Sequence, residues 1–332
     1  GELYPAGIPI EDENRIEELI AETGADMCIM AYSDRSYQQV MSLGSRVNAA
    51  GADFNMMGER DTQIASSKPV ISVGAVRTGC GKSQTSRRIC EILRAAGKKV
   101  VAIRHPMPYG DLVAQRVQRF AELSDLEKHD CTIEEMEEYE PHIVAGGVIY
   151  AGVDYEAILR EAEKEADIIL WDGGNNDFSF IHPDLHIVLV DPLRPGNETS
   201  HYPGETVLRM ADVVVLAKVN SAREADIQSV TENVRKINPR AAIVHGRSPV
   251  RLENPAAVRG KRVLVVEDGP TITHGGMPYG AGYVAATQEQ AQEIVDPRST
   301  AHEEIAQVYA QYPHIGKVLP ALGYHPVQLE AL

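Results

Sequence analysis

The sequence predicts an α/β protein: a doubly wound parallel sheet preceded by a small Rossmann-like α/β domain. Three observations carry that prediction. From residue 69 onward, short apolar runs alternate with helix-like stretches. Those runs are continuously apolar rather than alternating, as strands covered on both faces must be. The run "ISVGAVRTGCGKSQTSRRICEIL" (71–93) passes from an apolar strand through a glycine turn directly into a helix.

The elements follow in order. Residues 11–22 are helix-like, 26–32 ("DMCIMAY") form a short buried strand, and 34–51 form a helix closed by Gly51. Residues 52–58 are a second short strand, and "ERDTQIASSKP" leads into the next domain. The boundary falls at 66/67. Because the chain opens at Gly1 with a Pro-punctuated loop, the small domain is expected to be truncated and to lack its own first strand. In the second domain, strands are expected at 70–74, 99–104, 147–150, 168–171, 185–191, 213–218, 241–245 and 262–267, with helices around 83–96, 111–121, 154–165 and 223–236. Ligands of such a sheet gather beyond the carboxyl ends of its strands.

A chain of 332 residues, 43% hydrophobic and 24% charged, has the composition of a globular protein with room for two cores. The net charge of −16 argues against general affinity for nucleic acid or anionic membrane. No apolar run reaches the length of a membrane span and no secretory leader opens the chain, so a cytoplasmic location is expected. Cys28, Cys80, Cys90 and Cys131 show no paired spacing and are expected as reduced thiols. The acidic run "EEMEEYE" fits a solvated helix face, with Glu140 singled out as a candidate metal ligand.

The glycine turn, Val76-Arg77-Thr78-Gly79-Cys80-Gly81-Lys82-Ser83, matches G-x-x-x-x-G-K-[ST] except that Val76 replaces the first glycine. It marks the domain as a P-loop NTPase. Gly79 and Gly81 permit positive φ, so that the amides of Thr78 to Gln84 can curl round a phosphate at a helix N-terminus. Lys82 is expected on the β/γ-phosphates and Ser83 on Mg²⁺. Arg77, five residues before Lys82, takes the place of the second lysine in the K-G-G-x-G-K-[ST] variant, where a cation can offset charge on the transferring phosphoryl group.

Four further loops follow strand ends. "RHPMPYGD" offers Arg104 and His105 to a phosphorylated substrate; Asp111 is either a metal ligand or a helix cap. "ADIILWDGGNNDF" has the shape of a Walker B strand, placing Asp172 for Mg²⁺, with Asn175, Asn176 and Asp177 crowded beside it. Arg194 and His201 in one loop and His274 in another would join Arg104 and His105 in a cationic pocket for an anionic small molecule. At "LAKVN", Lys218 and Asn220 occupy the base-binding position, but Asn220 lacks the two-acceptor carboxylate that guanine selects, so ATP and GTP both stay open.

On "GAVRTGCGKSQTSR", "RHPMPYGD", "YEPHI", "ILWDGGNNDF", "DPLRPG", "YPGE" and "EDGPTITHGGMPYGAGYVAA", the chain resembles the cyclic 2,3-diphosphoglycerate synthetase-like family of P-loop proteins. The resemblance covers nearly the whole chain. It implies a dinucleotide-fold domain before the P-loop domain, and ATP-driven closure of 2,3-bisphosphoglycerate into an intramolecular anhydride. The expected function is transfer of a γ-phosphoryl group from ATP or GTP, with Mg²⁺, to an anionic small molecule. A nucleotide switch working with a protein partner is the alternative. The sequence leaves open whether the chain forms a homo-oligomer.

Overall fold

The computed structural model describes residues 7–60, 62–104, 107, 111–173, 177–273 and 275–321. Its centre is an eight-stranded sheet. The strands are β1 (Val70–Ala75), β2 (Val100–Arg104), β3 (Gln118–Phe120), β4 (Val148–Ala151), β5 (Ile168–Trp171), β6 (Leu185–Val190), β7 (Val213–Leu216) and β8 (Ala242–His245). Their order across the sheet is β8-β7-β6-β1-β5-β2-β4-β3. All pairs are parallel except β3–β4, so the one antiparallel strand closes an edge.

The connecting helices are α1 (Lys82–Ala95), α2 (Leu123–Lys128), α3 (Ile133–Val144), α4 (Tyr155–Glu165), α5 (Gly204–Met210) and α6 (Glu224–Ile237). Neighbouring residues of β5 serve opposite faces: Ile169 and Trp171 pack with Ile158 and Leu159 of α4, while Leu170 joins the cluster around Cys90 of α1. Both faces are therefore covered, which is why β2, "VVAIR", is buried at every position. The doubly wound parallel sheet is present as the sequence predicts.

Two local expectations differ. Residues 111–121 contain turns and the edge strand β3 rather than a helix, and the backbone of 115–116 packs so closely on Gly152 that a Cβ there would run into the Arg116 carbonyl. The run 262–267 divides into Arg262–Val263 and Val266–Asp268, which pair with Glu293–Ile294 and Leu319–Ala321 instead of joining the main sheet. Around those pairs Val265, Ile272, Ile305 and Val318 form a core of their own. The C-terminal stretch is thus a third packed unit.

The N-terminal unit is smaller. Helices Ile16–Thr23 and Tyr37–Ala49 pack on the parallel strands Met27–Ile29 and Asp53–Asn55 through Ile20, Val47 and Ala52. Ser36 and Gln39 close a capping box at the start of the second helix. A strap runs from this unit to the main domain: Arg35–Ser36 pairs antiparallel with His201–Tyr202, and the Tyr37 amide donates to the Ser200 carbonyl at 3.0 Å.

Candidate functional site

The glycine loop leaves β1 at the sheet's carboxyl edge and is held from below. Gly79 and Gly81 take φ of +77° and +104°, and Gly81 forms the N-cap of α1. A Cβ on Gly204 would run into the Val76 carbonyl, so the start of α5 packs directly on the loop's first residue. Lys218, itself at φ +54°, donates from Nζ to the Gly79 carbonyl at 2.6 Å and to Asp191 Oδ2 at 2.8 Å. Arg194 donates to the same Asp191 oxygen at 3.1 Å, to Cys80 Sγ at 3.4 Å and to the Gly275 carbonyl at 2.6 Å. Burial pushes the Cys80 thiol up, so it is a packed, protonated neighbour rather than a nucleophile. The Thr78 hydroxyl is buried with no hydrogen-bond partner among the described residues. It is a donor left over in a cradle of donors.

Asp172, one residue past β5, is the second centre. Lys82 Nζ lies 3.0 Å from its Oδ1, the Ser86 hydroxyl donates to Oδ1 at 2.8 Å, and His142 Nε2 lies 2.9 Å from Oδ2. Burial alone would raise this carboxyl, but Lys82, His142 and Arg104 outweigh it and hold it well below the usual carboxylate range. Asp172 is therefore an anion at neutral pH. Arg104 completes the group, donating to the Asp172 carbonyl at 3.4 Å and pairing with Glu138 at 2.8 Å. Gly173 has to be glycine because a Cβ there would overlap the Trp171 ring.

Arg77 is buried, and its guanidinium faces the N-terminal unit. Nε donates to Asp34 Oδ1 at 2.6 Å, and Nη1 contacts Asn197 and His201 Nδ1. Burial and the Arg77 charge lower the His201 imidazole below its ordinary value, so it is neutral.

The loop faces a cleft of about 1990 Å³ lined by all three units. Of the residues singled out from sequence, Arg77, Thr78, Gly79, Gly81, Lys82, Ser83, Gln84, Arg104, Asp177, Lys218 and Asn220 line it. Several expected roles change. Arg194 braces the loop and His201 is neutral, so neither supplies the expected cationic pocket; Arg104 is already paired with a carboxylate. The Lys218 ammonium holds the loop carbonyl, and Asn220 clasps residue 248 through Ser248 N–H at 2.7 Å and the Ser248 carbonyl at 3.4 Å. Asp111 accepts from the amides of Val113 and Ala114, so it caps a turn. Glu140 is exposed on α3, and the inward residue two positions on is His142. His105, Asn175, Asn176 and His274 lie outside the described residues.

Ser86, His142, Glu138, Asp191 and Asp34 were not singled out. Ser86 was findable, being one helical turn beyond Lys82 on the face that meets the sheet. The others depend on which loops meet in space. Among the described residues, no group of three or more His, Cys, Asp or Glu side chains is placed to hold a metal ion by protein ligands alone. No helix among them is long and apolar enough to cross a membrane.

A parallel α/β sheet with a glycine loop feeding a helix, a loop lysine and a buried aspartate at the adjacent strand end defines a P-loop nucleotide-binding protein. The model of the cyclic 2,3-diphosphoglycerate synthetase P-loop domain matches residues 142–246. The chain is 58% identical over all of its 332 residues to arginine synthetase ArcE of Thermococcus kodakarensis, covering 74% of that protein. It is 23% identical over 273 residues to the cyclic 2,3-diphosphoglycerate synthetase of Pyrococcus furiosus, covering 76% of this chain and 61% of that protein. The chain belongs to the cyclic 2,3-diphosphoglycerate synthetase-like family of P-loop synthetases. Among solved structures, LpxK of Aquifex aeolicus in complex with ATP aligns at 14% identity over 80% of this chain and 82% of that one, with a TM-score of 0.43. HypB of Archaeoglobus fulgidus aligns at 17% identity over 54% of this chain and 81% of that one, with a TM-score of 0.35.

Proposed function

We propose that the protein is a nucleoside-triphosphate-driven synthetase that moves the γ-phosphoryl group onto its acceptor, releasing the nucleoside diphosphate, that a nitrogen nucleophile then displaces the phosphate, and that the product, as in the relative named for it, is arginine. The observation that carries the nucleotide half is the Lys82–Asp172 pair beside the glycine loop: a 3.0 Å contact holds the lysine in register, Thr78, Gly79, Gly81 and Ser83 line the cleft, and the buried Thr78 hydroxyl has no hydrogen-bond partner among the described residues. A β/γ-phosphate has more charge to offer than one carboxylate, so Lys82 is expected to turn to it. Asp172 and Ser83, both hard oxygen donors, suit Mg²⁺ together with the nucleotide's own phosphates. That ion, when bound, neutralises charge on the phosphoryl oxygens.

The acceptor half rests on the far wall. Glu134, Glu137 and Glu138 of α3 line the cleft opposite Glu267 and Asp268 of the C-terminal unit. Burial first, and then the charges of Asp268, Glu138 and Glu134, raise the Glu137 carboxyl, so carboxylates stand close together on this side of the cleft. Such a wall suits a cationic amino acid better than a bisphosphate, and on this reading a cationic product takes precedence over the anionic acceptor that the sequence suggests. The chain's own part in catalysis is then positioning and charge neutralisation.

The test is incubation with ATP or GTP, Mg²⁺ and candidate precursors of arginine, or with 2,3-bisphosphoglycerate, followed by mass spectrometry of products and phosphate release. Lys82→Ala should lower turnover by about 10²- to 10³-fold. Equal turnover in that variant refutes the nucleotide assignment. A bisphosphoglycerate anhydride as the only product refutes the acceptor assignment.

A further inference from the structure

We propose that Asp34, in the N-terminal unit, is a positioning residue of the nucleotide site: it holds Arg77 until a triphosphate competes for it, so that nucleotide loading and docking of the 34–37 strap are linked. The inference rests on the nucleotide reading above but concerns a residue outside the P-loop domain.

Four observations support it. The side chains of Asp34 and Arg77 are 7% and 8% exposed, and their 2.6 Å contact joins the strap to the phosphate loop itself, five residues before Lys82. Asp34 Oδ2 is buried without a hydrogen-bond partner among the described residues, so the carboxylate is only half satisfied. Asp34 sits at φ +59°, a left-handed conformation that a non-glycine residue keeps only where its surroundings fix it. The residues that follow are anchored to the other side of the loop's support, through the 35–36 pairing with 201–202 and a Tyr37 hydroxyl that donates to Glu205 at 3.0 Å.

A buried carboxylate with one unmet oxygen is a poor final partner for a guanidinium. A terminal phosphoryl group carries more charge and more acceptor oxygens, and the same cleft is lined by Arg77, Thr78 and residues 31–33. Transfer of Arg77 from Asp34 to the phosphate would release the strap's most buried tie. A diphosphate, ending one phosphoryl short, would leave the pair intact. Asp34 therefore sets the balance between triphosphate and diphosphate.

Isothermal titration on the full chain with Mg²⁺ tests this, using ADP and adenylyl-imidodiphosphate and their guanine counterparts. Asp34→Asn keeps an oxygen for Arg77 Nε and removes the competing charge. It should tighten the imidodiphosphate by about tenfold while ADP or GDP stays within about twofold. In an Arg77→Ala background the same substitution should change neither. An unchanged triphosphate-to-diphosphate ratio, or a change that persists without Arg77, overturns the inference. Should Asp34→Asn fold poorly, amide exchange of residues 35–37 in the unaltered chain decides the matter. Faster exchange with the imidodiphosphate than with the diphosphate supports it; equal rates overturn it. If Lys82→Ala also leaves every affinity unaltered, the nucleotide reading has failed, and this is distinguishable from a failure confined to Asp34.

Discussion

His142→Ala is the most informative substitution at the Asp172 centre. The imidazole is 4% exposed, and its Nε2 bonds Asp172 Oδ2 at 2.9 Å while Lys82 and Ser86 hold Oδ1. A buried hydrogen bond to an ionised group contributes about 1.5–3 kcal/mol, and loss of a buried ring adds a cavity cost. The variant should therefore lose about 3 kcal/mol of stability in urea, still short of the total for a domain of this size. The functional consequence is separate. With Oδ2 released, the carboxylate can rotate away from Lys82, and partners of this kind typically alter metal-assisted activity by about 10- to 100-fold. Phosphate release assayed across a Mg²⁺ titration should show both lower turnover and a higher half-saturating Mg²⁺ concentration. His142→Gln, which retains a donor, should recover part of each. Wild-type turnover and Mg²⁺ dependence, after correction for the folded fraction, would refute the claim that His142 aims the carboxylate; a stability loss alone would leave it a packing residue.

Two further outcomes are expected. Gly204→Ala puts a methyl group against the Val76 carbonyl, a backbone atom that has little room to yield, and should cost about 1–3 kcal/mol by thermal denaturation together with weaker nucleotide binding. His186 is buried on β6 beside Ser72, with Asp212 the charge that partly offsets burial, and its pKa is lowered from 6.5 to about 4. The unfolded chain then takes up a proton that the folded chain refuses. Stability is full above pH 6.5 and falls by about 3 kcal/mol as the pH drops towards 4. His186→Gln should flatten that part of the urea-denaturation profile, and an unchanged slope would contradict the assignment.

The parallel sheet and its phosphate loop were legible because their signals are local. Strands buried on both faces are apolar throughout, and Gly-Lys-Ser at a strand-helix junction has a stereochemical reason to exist. Asp172 was legible for the same cause, ending four apolar residues. The misreadings share another origin. Arg194, His201 and Arg104 read as a cationic group because a sequence displays charges and hides their partners: Arg77 and Glu138 reach His201 and Arg104 from distant segments, and Asp191, only three residues before Arg194, turns back onto it in the folded loop. The acidic run draws attention to Glu140, whereas the helical phase of α3 turns His142 inward. Asp34 belongs to the N-terminal unit, more than forty residues from Arg77 in sequence, and the strap's ties to 200–205 bring the two together.

Trp171 is the single tryptophan of the chain, and its indole lies edge-on to Phe180 directly under Gly173, adjoining Asp172. Its emission consequently originates from one known spot, about a residue's width from where phosphates would arrive. With excitation restricted to the indole band, its fluorescence can thus follow ligand entry in stopped-flow without any label, and that single indole reporter is already installed at the floor of the chamber.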